Sequence, residues 1–198
     1  MTISLKHNLL FIHIPKNAGT SIRRAISSVD GKFLNFPHLT LKEYRTFLHP
    51  EFFERTFKFA IVRNPWDRAV SLYHFQHSES FRLSDPERYA AAKDMDFQQF
   101  LDCAGFLQQL PWISLDDGIG VDCVGRFENL AGTMKTISER TDLPSIKLPH
   151  INGTSHSPFA SYYDSHTKDI IAQKCEEDID VFKYTFNQAK SAPQLQFL

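Results

Sequence analysis

The stretch FIHIPKNAGTSIRRAI, residues 11 to 26, runs from an apolar segment through a polar turn into a segment that predicts a helix. The apolar segment, Leu9 to Ile14, is short and rich in β-forming residues, which is typical of a parallel strand covered on both faces. A loop between such a strand and a helix lies at the carboxyl edge of the sheet, where open α/β folds bind ligands. The stretch therefore predicts an α/β fold and the position of its binding site.

The remainder of the chain repeats the order of strand followed by helix. Two more strands are predicted at Phe57 to Val62 and at Val121 to Phe127. A capping box from Thr40 to Glu43 predicts one helix start, and the pair Asn64-Pro65 predicts another. The same signals predict further helices at 97–103, 130–140 and 164–178, and loops at 78–94 and 143–158. This alternation indicates an α/β protein.

Length and composition restrict the class of protein. At 198 residues without an internal repeat or linker, one domain spanning 1–198 is expected. The 22 basic and 23 acidic side chains give a formal charge of -1, which argues against nucleic acid or anionic lipid as a partner, so any anion site is local. No apolar window reaches the ~18 residues of a membrane span, and the N-terminal residues do not have the pattern of a signal peptide. The three cysteines lack the spacing of metal ligands. A soluble, cytoplasmic protein without a metal is expected.

The loop after the first strand carries a lysine, a glycine and two hydroxyls, namely Lys16, Gly19, Thr20 and Ser21. A helix start offers backbone N–H groups and the positive end of a dipole, and glycine lets the backbone approach a ligand closely. Lys16 adds a charge and the hydroxyls add donors, so the loop predicts a phosphate or sulfate site. In the phosphate loop of ATP and GTP enzymes, G-x-x-x-x-G-K-[ST], the lysine follows the second glycine, whereas here Lys16 precedes Gly19. No strand-end Asp is placed to hold Mg²⁺. The structural alternative is that Gly19 and Thr20 form only a turn and a cap.

A second group of candidates lies in FAIVRNPWDRAVSLYHF, residues 59 to 75. Arg63 stands where the strand ends, and Ser71 falls about two turns into the helix that follows. A guanidinium grips phosphate through two hydrogen bonds, and a hydroxyl can donate to a further oxygen. The alternative is that Arg63 pairs with a carboxylate and Ser71 lies on a helix face. Two such sites at neighbouring strand ends predict a ligand with two separated anionic groups, such as a nucleotide phosphorylated at both ends.

These motifs resemble those of sulfotransferases that use 3′-phosphoadenosine 5′-phosphosulfate (PAPS). FIHIPKNAGTS resembles their 5′-phosphosulfate loop and FAIVRNPWDRAVSLY their 3′-phosphate motif, while VDCVGRFENL, LPHINGT and residues 162–186 resemble later blocks of the compact carbohydrate-type family, sulfotransferase family 2. The resemblance implies a three-layer α/β/α fold with a central, mainly parallel sheet, related to P-loop nucleotide kinases. It also implies which residues hold the donor. They are Lys16, Asn17, Ala18, Gly19, Thr20 and Ser21 at the 5′ end, with Arg63 and Ser71 at the 3′-phosphate.

Sulfuryl transfer, by analogy with phosphoryl transfer, depends on positioning and charge stabilisation while an acceptor hydroxyl attacks in line. Lys16 is predicted to stabilise the bridging oxygen as it leaves. His38 is the candidate base, because it precedes a predicted helix cap, where the dipole disfavours protonation, and because the family often has a histidine between its two donor motifs. The alternatives are a surface role for His38, with His74 or His77 as the base. His13 is expected to be a core histidine with its hydrogen bonds satisfied.

Three functions are compatible with the sequence. The first is PAPS-dependent sulfation of a hydroxyl, on a carbohydrate or glycoconjugate with little charge. The second is a nucleotide or small-molecule kinase on a related fold, which the order of Lys16 and Gly19 disfavours. The third is a module that binds PAPS, or its product 3′-phosphoadenosine 5′-phosphate (PAP), without catalysis. Golgi relatives carry a membrane anchor that is not seen in this sequence, so a bacterial, cytoplasmic enzyme is expected, the alternative being that an anchor has been removed. The loop around His150, Asn152 and Thr154 is a candidate to close over the nucleotide.

Overall fold

The computed structural model describes residues 2–30, 33–34, 38–105, 107–146, 148 and 157–187. Within these residues the strands are, in chain order, β1 Thr2–Ser4, β2 Leu9–Ile12, β3 Phe33–Leu34, β4 Phe57–Val62, β5 Ser114–Leu115, β6 Gly118–Ile119 and β7 Cys123–Arg126. The α-helices are α1 Gly19–Val29, α2 Leu41–Phe47, α3 Pro50–Arg55, α4 Pro65–Gln76, α5 Glu79–Ser84, α6 Pro86–Ala92, α7 Phe97–Cys103, α8 Leu130–Arg140, α9 Ser165–Lys174 and α10 Glu176–Phe182.

The central sheet has the strand order β3-β1-β2-β4-β7, and β5 and β6 form a separate antiparallel pair. β2, β4 and β7 are parallel neighbours, whereas β1 is antiparallel to both β2 and β3. Ile12 pairs with Ala60, so the carboxyl ends of β2 and β4 lie at the same edge of the sheet. The prediction of an α/β protein with a mainly parallel central sheet is confirmed. The three-layer arrangement and the relation to P-loop kinases stay predictions.

One face of the parallel strands packs against α1 and α8. Strand side chains point alternately to opposite faces, and this face contributes alternate residues to a core of Leu9, Phe11, Ile22, Ile26, Phe59, Ile61, Cys123, Met134, Ile137 and Leu143. The rings of Phe11 and Phe59 stack with centroids 4.9 Å apart. Ile22 and Ile26 lie one turn apart on α1 and are both fully buried. The packing therefore holds the first residue of α1, Gly19, near the carboxyl end of β2.

The predicted helix starts are confirmed at Thr40 and Asn64. Thr40 Oγ1 accepts a hydrogen bond from Glu43 N at 3.3 Å, and Glu43 Oε2 accepts one from Thr40 N at 2.6 Å, which completes the capping box. Asn64 Oδ1 accepts hydrogen bonds from Trp66 N and Asp67 N at 3.1 and 3.4 Å. Both starts follow from chemistry within three or four residues of sequence.

The prediction of a loop at 78–94 is wrong, because this segment contains the helices α5 and α6. Ser78 caps α5 and Asp85 caps α6, and Pro86 is the first residue of α6. The prediction treated Pro86 as a helix breaker, but its fixed φ suits a first helical position. Short capped helices therefore replace the expected loop.

The remaining helix predictions agree with the structure except near Cys175. α7 and α8 have the predicted bounds. The helix predicted at 164–178 is instead two helices, α9 and α10, which are separated by Cys175. The described residues of the loop predicted at 143–158 contain no helix or strand. The candidates His150, Asn152 and Thr154 lie outside the described residues.

The described residues divide into two compact units. The first unit contains residues 2–63 and 109–148, with all the strands and helices α1, α2, α3 and α8. The second contains residues 64–108 and 157–187, with α4 to α7, α9 and α10. The division falls within the second predicted motif, between Arg63 and Asn64. The single domain expected over 1–198 stays a prediction.

Candidate active site

The turn between β2 and α1 has a backbone conformation that residues with a side chain rarely adopt. Lys16 and Ala18 have φ values of 70° and 61°. A left-handed conformation costs a residue with a Cβ roughly 1–2 kcal/mol, and such strain is concentrated at functional sites. Successive backbone N–H groups in a turn of this kind form a concave site for an anion. The predicted phosphate or sulfate loop therefore has a backbone suited to that ligand.

The start of α1 differs from the starts of the other α-helices of the described residues. Ala18 gives α1 no side-chain cap, and the first turn contains no acidic residue. Of the others, α3 and α10 lack a side-chain cap but have Glu51 and Glu176 in their first turns. The remaining helices all begin at a side chain that accepts a backbone hydrogen bond. Within the part of the chain described here, α1 alone has neither an acidic first turn nor a cap to offset its positive dipole end.

Gly19 leaves room for the imidazole of His13. A Cβ built at Gly19 would lie 1.8 Å from both Nε2 and Cδ2 of His13, so a larger residue would displace the ring. From the sequence, Gly19 was predicted to allow the backbone to approach a ligand closely. The structure adds a second reason, which is the contact between the first residue of α1 and the residue that follows β2.

Lys16 and Arg63 bring two positive charges together at the sheet edge. Arg63 Nη1 donates a hydrogen bond to Lys16 O at 3.0 Å, and the Arg63 guanidinium lies 4.1 Å from the centroid of the Phe127 ring. Burial and the charge of Arg63 lower the pKa of Lys16 to about 8. Neighbouring cations raise each other's free energy, and an anion bound beside them would reverse that effect. The pair is therefore well suited to bind an anion.

His38 contacts His13 beside the same turn. His38 Nδ1 lies 3.1 Å from His13 O, and the two ring centroids are 4.3 Å apart. Because a carbonyl oxygen can only accept, Nδ1 of His38 carries the proton, and in the neutral ring Nε2 is the basic nitrogen. Burial of part of the ring and the nearby Arg23 lower the pKa of His38, although the hydrogen bond to His13 opposes this. His38 is thus neutral and basic at physiological pH.

His13 is a core residue, as predicted, but its hydrogen bonds are not satisfied as expected. The side chain is buried, and Nδ1 has no hydrogen-bond partner among the described residues. Burial, followed by the charges of His38, Arg23 and Lys16, lowers the pKa of His13 to about 2. Its ring is therefore neutral, and its carbonyl sets the tautomer of His38.

The predicted donor hydroxyls lie in the first turn of α1. Ser21 is buried and Thr20 is half-buried. Neither hydroxyl forms a hydrogen bond to a residue that the structure describes, because the first turn has no preceding turn of carbonyl groups to accept one. Both hydroxyls are therefore able to donate to a ligand, and their contact with the donor stays a prediction.

Asn17, which was predicted to hold the donor, directs its side chain into the protein. It is 1 % exposed, and its Nδ2 donates to Ile61 O and to Gln109 Oε1, both at 2.7 Å. These bonds fasten the turn to β4. A contact between Asn17 and the donor stays a prediction.

Ser71 lies in α4, within the second unit, and is 4 % exposed. Some other helical hydroxyls bond back to a carbonyl of the preceding turn, as Thr46 does to Lys42 O and Thr133 to Asn129 O. The Ser71 hydroxyl makes no such bond to any described residue. Arg63 belongs to the first unit, so the joint role predicted for Arg63 and Ser71 stays a prediction.

Two residues that contact the candidate site were not predicted from the sequence. Phe127 lies against the Arg63 guanidinium, and Gln109 bonds to both Asn17 and Arg63. One phenylalanine among 18 and an isolated glutamine form no spacing pattern. Only the folded chain brings them to the sheet edge.

A comparison with protein-family models supports the resemblance seen in the motifs. The model described as the sulfotransferase family matches residues 1–185. The chain therefore belongs to the sulfotransferase family, and specifically to family 2. Searches of curated proteins and of solved structures found no match.

Two further features bear on the predicted partners. Among the residues that the structure describes, no group of three or more His, Cys, Asp or Glu side chains could hold a metal ion. A search of the same residues finds no helix with the length and apolar character needed to cross a membrane.

Proposed function

We propose that this protein transfers a sulfuryl group from PAPS to a hydroxyl of an acceptor. The observation that carries the proposal is the packing of Lys16 against Arg63 beside the uncapped start of α1. Two cations and a positive helix end favour a bound anion. Membership of the sulfotransferase family specifies the class of group that is transferred.

The residues of the turn would hold the 5′ end of the donor. Lys16 would contribute its charge, Thr20 and Ser21 their hydroxyls, and α1 its first backbone N–H groups. Arg63 and Ser71 would hold the 3′-phosphate, and the Ser71 hydroxyl, which bonds to no described residue, would be able to donate to one of its oxygens. When bound, the donor would supply an activated sulfuryl group, with the 5′-phosphate of PAP as the leaving group.

His38 and Lys16 would act at opposite ends of the transfer. His38 would take the proton of the acceptor hydroxyl at Nε2 while the bond between the acceptor oxygen and sulfur forms. Lys16 would stabilise the negative charge left on the phosphate oxygen as the old sulfur–oxygen bond breaks. The proton thus ends on His38 and the charge ends beside Lys16, so the two residues have separate roles.

The other candidate bases have partners that make them less suitable. Nδ1 of His77 lies 2.8 Å from Tyr73 O, and Nε2 lies 3.2 Å from Met95 O. Both ring nitrogens therefore contact acceptors. Nε2 of His74 lies 2.8 Å from the hydroxyl of Tyr162. These contacts favour His38 as the base.

We further propose that the acceptor is a carbohydrate or glycoconjugate with little charge. The resemblance of the later sequence blocks to the carbohydrate-type sulfotransferases supports the class. The formal charge of -1 supports the low charge, because a heavily sulfated polymer would require a broad basic surface.

Thermal unfolding with two nucleotides tests the proposal. PAP without any metal should raise the melting temperature, because a ligand that binds only the folded state stabilises it by mass action. ATP with Mg²⁺ should have a smaller effect, and incubation with PAPS and candidate acceptors should yield a sulfated product in mass spectra. Stabilisation that requires Mg²⁺ and a triphosphate would instead indicate a kinase, and PAP binding without turnover on any acceptor would indicate a binding module.

A further inference from the structure

The side chain of Gln109 connects the two predicted donor-binding motifs of the first unit. Gln109 is fully buried at the start of a 3-10 turn, Leu110–Trp112. Its Nε2 donates to Arg63 O at 2.8 Å, and its Oε1 accepts from Arg63 N at 2.9 Å. The same Oε1 accepts from Asn17 Nδ2 at 2.7 Å. One amide group therefore contacts the end of β4 and the turn before α1.

The partners of this amide determine its orientation. A backbone N–H can only donate and a carbonyl can only accept, so Oε1 must face Arg63 N and Nε2 must face Arg63 O. Asn17 must then direct Nδ2 toward Gln109, and this nitrogen also donates to Ile61 O. Hydrogen bonds in such a connected, buried network strengthen one another and specify one geometry.

These hydrogen bonds form a closed ring of contacts that passes through Arg63, the backbone of Lys16, Asn17 and Gln109. Gln109 holds the backbone of Arg63, and the Arg63 guanidinium bonds to Lys16 O at 3.0 Å. Lys16 is followed directly by Asn17, which closes the ring of contacts at Gln109. A side chain that belongs to neither motif therefore helps to set the separation between the Arg63 backbone and the turn, together with the direct bonds from Asn17 to Ile61 O and from Arg63 to Lys16 O.

We propose that Gln109 is a positioning residue for donor binding, which holds Arg63 and the turn of Lys16 at the separation that one nucleotide requires. This inference rests on the proposed function. Gln109 acts through Arg63 and Asn17 and needs no contact with the nucleotide or the acceptor.

Replacement of Gln109 by Met tests the inference, because Met has a similar length but neither donates to Arg63 O nor replaces the amide oxygen. Displacement of a binding group by about 1 Å can cost about 10²-fold in rate. We expect the Gln109→Met protein to bind PAP 10- to 100-fold more weakly, on the same order, by calorimetry at a temperature where it is folded. Gln108→Met is the matched control, since the Gln108 side chain bonds to no described residue, and its affinity should equal that of the wild type.

A double-mutant cycle separates positioning from a general loss of stability. If Asn17 and Gln109 act through one bridge, Asn17→Ala combined with Gln109→Met should weaken PAP binding no more than the larger single effect. Additive losses in PAP affinity would overturn the bridge. If Gln109→Met does not fold, Gln109→Glu keeps the size of the side chain and an oxygen for Asn17 and Arg63 N, but it loses the donor to Arg63 O. The Gln109→Glu protein should therefore also bind PAP more weakly than the wild type.

The outcomes separate this inference from the proposed function. Wild-type protein that binds PAP, together with a folded Gln109 variant of unchanged affinity, would overturn the inference alone. Wild-type protein that does not bind PAP would overturn the proposed function and the inference with it. A weaker variant that also melts at a lower temperature still supports positioning if its cycle with Asn17→Ala is non-additive.

Discussion

α1 and α4 each follow a parallel strand of the central sheet, but they begin in opposite ways. α4 begins at Asn64, whose side chain accepts hydrogen bonds from two backbone N–H groups, and Asp67 adds a negative charge to its first turn. α1 begins at Ala18 in a left-handed conformation, without a side-chain cap or an acidic residue in the first turn. Side chains of the chain itself therefore satisfy the start of α4, whereas the start of α1 has no such cap and is the proposed anion site.

The difference indicates two kinds of contribution to binding. The α1 start offers backbone N–H groups and a dipole end, with Lys16 and Arg63 in the same unit. α4 offers Ser71, a buried residue whose hydroxyl lies about two turns past the capped start of the helix. We therefore expect the α1 region to carry charge stabilisation and chemistry, and α4 to contribute affinity through one side chain. Five experiments test this difference.

The largest effect is expected for His38→Ala, because the base belongs to the α1 region. The variant should lower kcat by about 10²–10⁴-fold while PAP affinity stays nearly unchanged. Steady-state rates with saturating acceptor and calorimetry with PAP measure the two quantities. The wild-type rate should fall only as pH drops below 6.5, because the pKa of His38 is lowered from 6.5 and the ring must be neutral to accept a proton.

The control for His38→Ala is His49→Ala, an exposed histidine in the same unit. It should keep the wild-type rate and pH profile. Full turnover in the His38 variant would show that the base is elsewhere, and His74 and His77 would be tested next.

Thr20→Asp would give α1 the acidic first turn that α4 already has. The carboxylate should stabilise the ligand-free protein by about 0.3–1 kcal/mol, because it offsets the helix dipole, and should therefore raise its melting temperature. The same charge should weaken PAP binding by about 10²–10³-fold, since like charges in a binding site cost several kcal/mol. Thermal unfolding and calorimetry measure these opposite changes.

Ala131→Asp is the matched control for Thr20→Asp. It adds an acidic residue to the first turn of α8, which has none, so the helix effect should be similar and PAP affinity should not change. Unaltered PAP affinity in the Thr20 variant would mean that the α1 start is not the anion site.

Arg63→Ala and Ser71→Ala test the predicted 3′-phosphate contacts. Each removes a hydrogen bond to a charged group worth about 1.5–3 kcal/mol, which corresponds to about 10- to 100-fold in affinity. The loss of affinity should be far larger for PAP than for adenosine 5′-phosphosulfate, which lacks the 3′-phosphate. Ser27→Ala is the control, because the Ser27 hydroxyl bonds to Arg23 O and has no predicted ligand. Equal losses for both nucleotides would assign Arg63 and Ser71 to structure.

The charge of Lys16 should make PAP affinity depend on pH. The ligand-free pKa of Lys16 is about 8, and a bound anion raises it, so binding takes up a proton above pH 8. Affinity should then fall by up to about tenfold per pH unit as pH rises through this range, while the phosphates, with a second pKa near ~6, keep a constant charge. Lys16→Arg should remove the decline, since arginine stays charged. A wild-type affinity that is constant from pH 8 to about 10 would contradict this role.

The smallest effect is expected for Asn64→Ala, which removes the cap of α4. The variant should lose about 1–2 kcal/mol of unfolding free energy, measured by denaturant titration, with little change in PAP affinity. Asn129→Ala removes the cap of α8 and should cost a similar amount. A large loss of PAP affinity in the folded Asn64 variant would show that both helix starts serve the ligand, and the difference between them would disappear.

The sequence by itself determined the features that depend on neighbouring residues. The strand at Phe57–Val62, the caps at Thr40 and Asn64 and the turn that leads into a helix after the first strand were predicted because strand formation, capping and family motifs act over a few residues. The error at 78–94 has the same origin. Ser78, Asp85 and Pro86 are turn-forming and helix-starting residues alike, and local sequence does not distinguish the two.

Only the tertiary structure decided what surrounds those motifs. The lowered pKa of Lys16 depends on burial and on Arg63, 47 residues away, and the tautomer of His38 depends on a carbonyl 25 residues away. Gln109 reaches Asn17 across 92 residues. These contacts exist because parallel strands bring distant segments to one edge of the sheet, and no local pattern in the sequence records which side chains meet there.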